Sequence, residues 1–97
     1  MANYYFTNKA VEDLAEIWNY TLENWSERQA DKYYDLLIMT CSTLANDPKM
    51  GKQYDILSEG IIGYKISKHI IFYQIISKRE IEIVRILHRM MDLKSKI

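Results

Sequence analysis

Ninety-seven residues, 48% hydrophobic and 27% charged, with three Gly, one Pro and one Cys, are enough for one domain with one core and too few for two. One cysteine excludes an intrachain disulfide, and the longest apolar runs, residues 36–39 and 70–73, exclude a helix across a bilayer, which needs ~20 such residues. Thirteen Lys/Arg balance thirteen Asp/Glu, and the polar, soon acidic start MANYYFTNKAVEDL does not read as a signal peptide, so the expected location is the cytoplasm.

Residues 3–7 (NYYFT) read as a short strand, and Asn8 as the N-cap of a first helix. Val11, Leu14, Trp18, Leu22 and Trp25 then recur at spacings of three and four, which predicts one buried helical stripe. Glu12, Asp13 and Glu16 fall in the first turns, where negative charge suits the helix dipole. Ser26 and Gln29 form a capping-box pattern that opens a second helix. Its stripe is Ala30, Tyr33, Tyr34, Leu37, Ile38, Cys41, Leu44 and Ala45. Asp47-Pro48 ends that helix, because the residue before proline is pushed out of helical geometry.

Residues 47–60 read as a loop punctuated by Pro48, Gly51 and Gly60. The period then changes from helix to strand. Over 61–67, Ile62, Tyr64 and Ile66 alternate with Gly63, Lys65 and Ser67. Residues 69–76 (HIIFYQII) are almost continuously apolar, the pattern of a central strand covered on both sides. Residues 81–88 (IEIVRILH) make a third β-branched run, and the connections at Lys68 and at Lys78-Arg79 suit tight hairpins. The order β-α-α-β-β-β predicts an α+β domain over residues 1–97, with a helical hairpin packed on one face of a small antiparallel sheet.

Charge is unevenly divided. Residues 1–48 carry three Lys/Arg against eight Asp/Glu, a net −5, and residues 49–97 carry ten against five, a net +5. Such polarity fits either an interaction surface or two solvated faces. Eight tyrosines, among them Tyr33, Tyr34, Tyr64 and Tyr73, fit either a binding surface or the amphipathic edge of a core.

Three segments resemble the ParE/RelE toxin superfamily, and its ParE branch in particular. They are AVEDLAEIWNYTLENWSERQADKYYDLL, LANDPKMGKQYDILSEGI and YKISKHIIFYQIISKREIEIVRILHRMMDL. The succession HIIFY, IVRILH and a terminal Met-Asp is the most specific part. The resemblance implies a type II toxin–antitoxin toxin of the kind that stabilises plasmids, bound and neutralised by a ParD-like antitoxin that makes the complex's DNA contacts. ParE-branch members are associated with poisoning DNA gyrase, and RelE-branch members with ribosome-dependent cleavage of messenger RNA. A third possibility is a module that retains antitoxin binding without toxicity.

RNA cleavage needs proton-transfer groups in mutual reach and cations to hold phosphate. His69, His88, Arg85, Arg89, Lys52 and Lys65, with Glu82 as a base, are the candidates, and they form no dense cluster in the sequence. RelE-branch nucleases resemble one another in being strongly basic, with an essential aromatic or basic residue near the C-terminus. Here the chain is neutral, and only Leu-Lys-Ser-Lys-Ile follows Asp92. The resemblance therefore favours gyrase inhibition, with Arg85, His88, Arg89 and Asp92 as target-binding residues. If the chain is instead a nuclease, His88, Arg85 and Arg89 would be catalytic. Met90 and Met91 stand where the commoner arrangement has basic residues. Lys65, Tyr64, Tyr73, Met90 and Met91 are assigned to antitoxin contact.

No cofactor is expected, and the two His and one Cys lack metal-ligand spacing. Cys41 sits on the buried stripe and is read as core. His69 is expected in solvent, and His88 as a hydrogen-bonding strand end. Arg85 shares strand parity with Ile81, Ile83 and Leu87, so it either faces an open partner site or pairs with an acidic helix residue.

Overall fold

The computed structural model describes residues 2–55 and 57–90. Among them the order is β1 (Asn3–Phe6), α1 (Asn8–Asn24), α2 (Glu27–Asn46), a 3-10 turn (Pro48–Met50), β2 (Lys52–Gln53), β3 (Ile62–Ile66), β4 (His69–Ser77) and β5 (Glu80–His88). Thr7, one residue before the expected cap, opens α1: its hydroxyl accepts from the Ala10 N–H at 3.1 Å. Ser26 caps α2 as expected, accepting from the Gln29 N–H at 3.1 Å.

The strands form one sheet in the order β1-β5-β4-β3-β2. The β2-β3-β4-β5 part is antiparallel. β1 runs parallel to β5, Asn3 beside Glu80 through Phe6 beside Ile83, so the sheet is mixed where an antiparallel one was expected. No hairpin fixes the direction of β1: it meets β5 only after the helices have carried the chain across the sheet. β2 lies inside the segment expected to be loop, and at two residues it is too short to show a period.

The central strand is covered on both faces, as its apolar run predicts. Ile71 and Tyr73 join Leu14, Leu37, Cys41, Leu44, Ile81, Ile83 and Ile86 in the helix-side core. Ile70 and Phe72 join Ile61 and Leu87 in a second cluster with Tyr54, Leu57 and Val84. Each large side chain buried this fully contributes about 1.5–3 kcal/mol of apolar transfer. Tyr54 lies edge-on to Phe72 at 5.2 Å. It can do so because Gly63 has no side chain: a Cβ there would stand 2.6 Å from Tyr54 Cε1.

Two expectations about faces are corrected. The buried side of α1 is Ala10, Asp13 and Leu14, with Ile17 packed against the core, whereas Val11 (53%) and Trp25 (68%) are exposed. Small Ala10 lets the helix approach the sheet, and Trp18 turns to the outer seam, where its Nε1 donates to Asp31 Oδ1 of α2 at 3.0 Å. In β5, register shifts from Tyr73–Ile83 to Phe72–Arg85, leaving Val84 as an extra residue. Parity breaks at that bulge: Ile83 and Ile86 face the helices, while Leu87 belongs to the opposite cluster.

Tyr73 was expected at a partner surface, and it is fully buried. Its hydroxyl donates to the Pro48 carbonyl at 2.7 Å and accepts from the Gly51 N–H at 3.1 Å. It therefore ties the 3-10 turn to the core and offers a partner no surface. Gly51 is required at this contact, since a Cβ would overlap the Ile62 side chain and the Tyr73 hydroxyl. No helix among the described residues is long and apolar enough to cross a membrane.

Candidate functional site

α1, the β3–β4 turn and the end of β5 enclose an open cleft of about 1090 Å³. Glu12, Asp13 and Glu16 line it from α1, Tyr33 from α2, Lys68 and His69 from the hairpin, and Arg85 and His88 from β5.

At its base Arg85 pairs with Asp13. Nε donates to Oδ2 at 2.8 Å and a terminal nitrogen to Oδ1 at 2.9 Å, a two-pronged contact. The Ile86 backbone N–H donates to the same Oδ2 at 3.0 Å. Asp13 is 7% exposed, and it is satisfied by a guanidinium and a backbone donor together. These bonds raise the Arg85 pKa above its ordinary value, working against the cost of burial. Of the two alternatives the sequence leaves open for Arg85, pairing with an acidic helix residue is the one observed. Position 13 on the buried stripe of α1 is the signal for it: a carboxylate there needs a partner from the sheet.

His69 is half-buried, not solvent-exposed as expected. Its Nδ1 lies 2.7 Å from the Tyr33 hydroxyl, and its ring meets His88 edge-on at 5.4 Å, the two being register partners across β4 and β5. Burial foremost, then His88 and Lys68, lower its pKa to about 4 against an opposing pull from Asp13, so the ring is neutral at pH 7. Burial also raises the Tyr33 phenol. His88 is the hydrogen-bonding strand end expected: its Nδ1 accepts from the Met90 N–H at 3.2 Å. The β3–β4 turn is held over the cleft by the Arg89 N–H bond to the Lys68 carbonyl (2.9 Å), and Lys68 Nζ sits 6.0 Å from the Trp25 ring.

The fold thus gathers three of the candidates, Arg85, His69 and His88, and adds Asp13 and Tyr33, whose separation in the chain hides them from a reading of spacing. The other expected residues lie elsewhere. Arg89 and Met90 are exposed beyond β5, and Lys65 is exposed on β3. Tyr64 packs partly against the helix-side core. Lys52 is exposed on β2, and Glu82 lies in β5 opposite Gln74. Met91 and Asp92 lie outside the described residues. Cys41 is buried, and its thiol is pushed up to about 12 by that burial, the state of an inert core residue. Among the described residues no three His, Cys, Asp or Glu side chains converge to hold a metal.

Residues 4–93 match the family model of the ParE toxin of type II toxin–antitoxin systems, parDE. Toxin ParE1 of Mycobacterium tuberculosis (strain H37Rv) is 30% identical over 91 residues, 94% of this chain and 93% of that protein. Toxin ParE1 of Caulobacter vibrioides is 30% identical over 97 residues, covering 100% and 99%. Among solved structures, the chromosomal ParDE system from P. aeruginosa superposes with a TM-score of 0.77 at 19% identity, over 91% of this chain and 96% of that one. The RelBE2 toxin–antitoxin complex from M. tuberculosis gives 0.69 at 18%, over 91% and 98%. These last two likenesses are of fold.

Proposed function

This chain belongs to the ParE toxin family of type II toxin–antitoxin systems, and we propose that it arrests growth in the cytoplasm by inhibiting DNA gyrase until a ParD-like antitoxin neutralises it. The family match across residues 4–93 carries this reading. The antitoxin partner is supported by the two similar folds, which come from a ParDE system and a RelBE2 complex. The cleft chemistry favours inhibition by binding over phosphodiester cleavage. Arg85, the cation at its base, is engaged by Asp13, and a guanidinium already held by a carboxylate is a poor grip for a phosphate. Contact with the target is assigned to His88 and Arg89 at the end of β5 and, by its place in the sequence alone, to Asp92, with Arg85 fixing that strand. Antitoxin contact is assigned to the basic, sheet-bearing half, including Lys65, Tyr64, Met90 and Met91. Apolar burial would supply the free energy there, and charge the encounter rate.

The test is supercoiling of relaxed plasmid by gyrase with purified toxin titrated in. Dose-dependent inhibition reversed by the antitoxin is expected. A folded, antitoxin-binding protein with no effect on gyrase overturns the target assignment.

One observation favours a second reading. Tyr33, His69 and His88 form a contiguous set of proton-transfer groups on one wall of the cleft, as RelE-like cleavage of ribosome-bound messenger RNA would require. Cleavage by wild type that is lost in His88→Gln would establish it.

A further inference from the structure

β5 ends at His88, and the pair His69–His88 closes its ladder with β4. Residues 89 and 90 therefore take their direction from what holds their backbone beyond the sheet. Two bonds do so. The Arg89 N–H donates to the Lys68 carbonyl at 2.9 Å, and the Met90 N–H donates to His88 Nδ1 at 3.2 Å. The first acceptor lies in the two-residue turn, Ser67-Lys68, that joins β3 to β4. The second belongs to a ring whose tilt is set by its edge-on contact with His69.

Tyr33 of α2 reaches both. Its hydroxyl lies 2.7 Å from His69 Nδ1, which holds the ring that His88 packs against. Burial raises the Tyr33 phenol, and hydrogen bonds from the Lys68 backbone and the Ser67 side chain oppose that rise, so the same oxygen meets the turn. The turn needs such a hold. Ser67 has a φ of +53°, a region that residues with a Cβ rarely adopt, and such a backbone persists where its surroundings over-determine it. Tyr33 is a firm anchor, since it sits one helical turn from buried Ala30 and buried Leu37 and packs against the core. Arg89 and Met90, by contrast, are exposed.

We propose that Tyr33 is a positioning residue for target contact: its hydroxyl fixes the Ser67-Lys68 turn and the His69 ring, and through them the direction in which His88 and Arg89 are presented. The proposal rests on the target reading above.

The test compares wild type with Tyr33→Phe, which keeps the ring and its packing and removes the hydroxyl. NMR follows amide exchange with solvent at Arg89 and Met90 and at the core positions Ile71, Ile83 and Ile86. Gyrase supercoiling gives the toxin concentration for half-inhibition. Exchange at Arg89 and Met90 is expected to quicken about fivefold or more with the core amides unchanged. The half-inhibition concentration is expected to rise about fivefold, the factor that one hydrogen bond commonly carries. A change within about twofold at Arg89 and Met90, or an equal quickening in the core, overturns the proposal. So does an unchanged half-inhibition concentration beside loosened amides. If wild type leaves gyrase unaffected, the target reading fails, and the functional comparison passes to growth arrest on induction. Tyr33→Phe is then expected to need more inducer for the same arrest, and equal arrest overturns the positioning role. If Tyr33→Phe does not fold by circular dichroism, His69→Phe is measured in its place with the same outcomes. It keeps a ring beside His88 and removes the Nδ1 that the Tyr33 hydroxyl meets.

Discussion

Replacing Asp13 by Ala removes an acceptor shared by Arg85 and the Ile86 N–H, and the cost follows from how dry each group is. Stripping one partner from a fully buried pair costs about 3–5 kcal/mol. The side chains here are 16% and 8% exposed, so water recovers part of the Arg85 solvation, and ~2 kcal/mol is a fair share for the ion pair. A buried N–H left without an acceptor adds about 1–3 kcal/mol, giving a loss of about 3–5 kcal/mol. For a domain of this size that is a large part of a total of roughly 5–15 kcal/mol, and a fall in Tm of about 12–25 °C. Urea unfolding followed by far-UV circular dichroism reads the loss. Asp13→Asn keeps one carbonyl oxygen and is expected to lose roughly 2 kcal/mol. Asp13→Leu with Arg85→Met, an apolar pair of similar bulk, removes the ion pair at little cost but still leaves the Ile86 N–H without its acceptor, so a loss of about 1–3 kcal/mol is expected. A loss below about 1 kcal/mol in Asp13→Ala would refute the reasoning.

Three further outcomes are expected. His69 has a folded pKa of about 4, below its ordinary 6.5, so between those values the unfolded chain binds the extra proton. Its contribution is complete above pH 6.5 and is lost as pH falls toward 4; after allowance for solvent screening it amounts to ~1–2 kcal/mol, and urea midpoints of His69→Gln measured across that window should lack this slope. Tyr73→Phe removes the hydroxyl that bridges Pro48 and Gly51 and should lower stability by about 1–2 kcal/mol with antitoxin affinity unchanged, as calorimetry of folded protein would show. Cys41 should resist a thiol reagent in the native protein and react at once in urea; immediate labelling under native conditions would contradict its burial.

Most of the elements were legible because their signals are local. Ser26 and Gln29 mark the start of α2, Pro48 its end, and the apolar runs β4 and β5. What stayed hidden depends on packing between distant segments. The stripe of α1 was read through its bulkiest side chains, Val11, Trp18 and Trp25, but helix approach to the sheet is governed by Ala10 and by the carboxylate of Asp13. The alternation in β5 placed Leu87 with Ile83, and one bulge at Val84 separates them. Position at a hairpin puts His69 in solvent on the sequence reading, and the habit of tyrosine as an interface anchor puts Tyr73 at a partner surface. Nothing near Tyr73 in the chain announces the Pro48 and Gly51 groups that it satisfies, and nothing near His69 announces Tyr33. Arg85 was the informative exception: a charge among isoleucines required a partner whether or not that partner could be named.

The parallel seating of β1 on β5 sets the order in which the molecule can be completed. Asn3 and Phe6 find their neighbours at Glu80 and Ile83, and Asp13 finds its own at Arg85, so β1 and α1 wait for a strand made more than seventy residues later. Contacts of such long range close slowly. On a translating ribosome the first strand and helix emerge without the strand that fixes them, and the fold locks only once β5 has cleared the exit tunnel. Interrupted translation before β5 would therefore release fragments that lack the β5 side of the cleft, and the folded domain would exist only once β5 has been made.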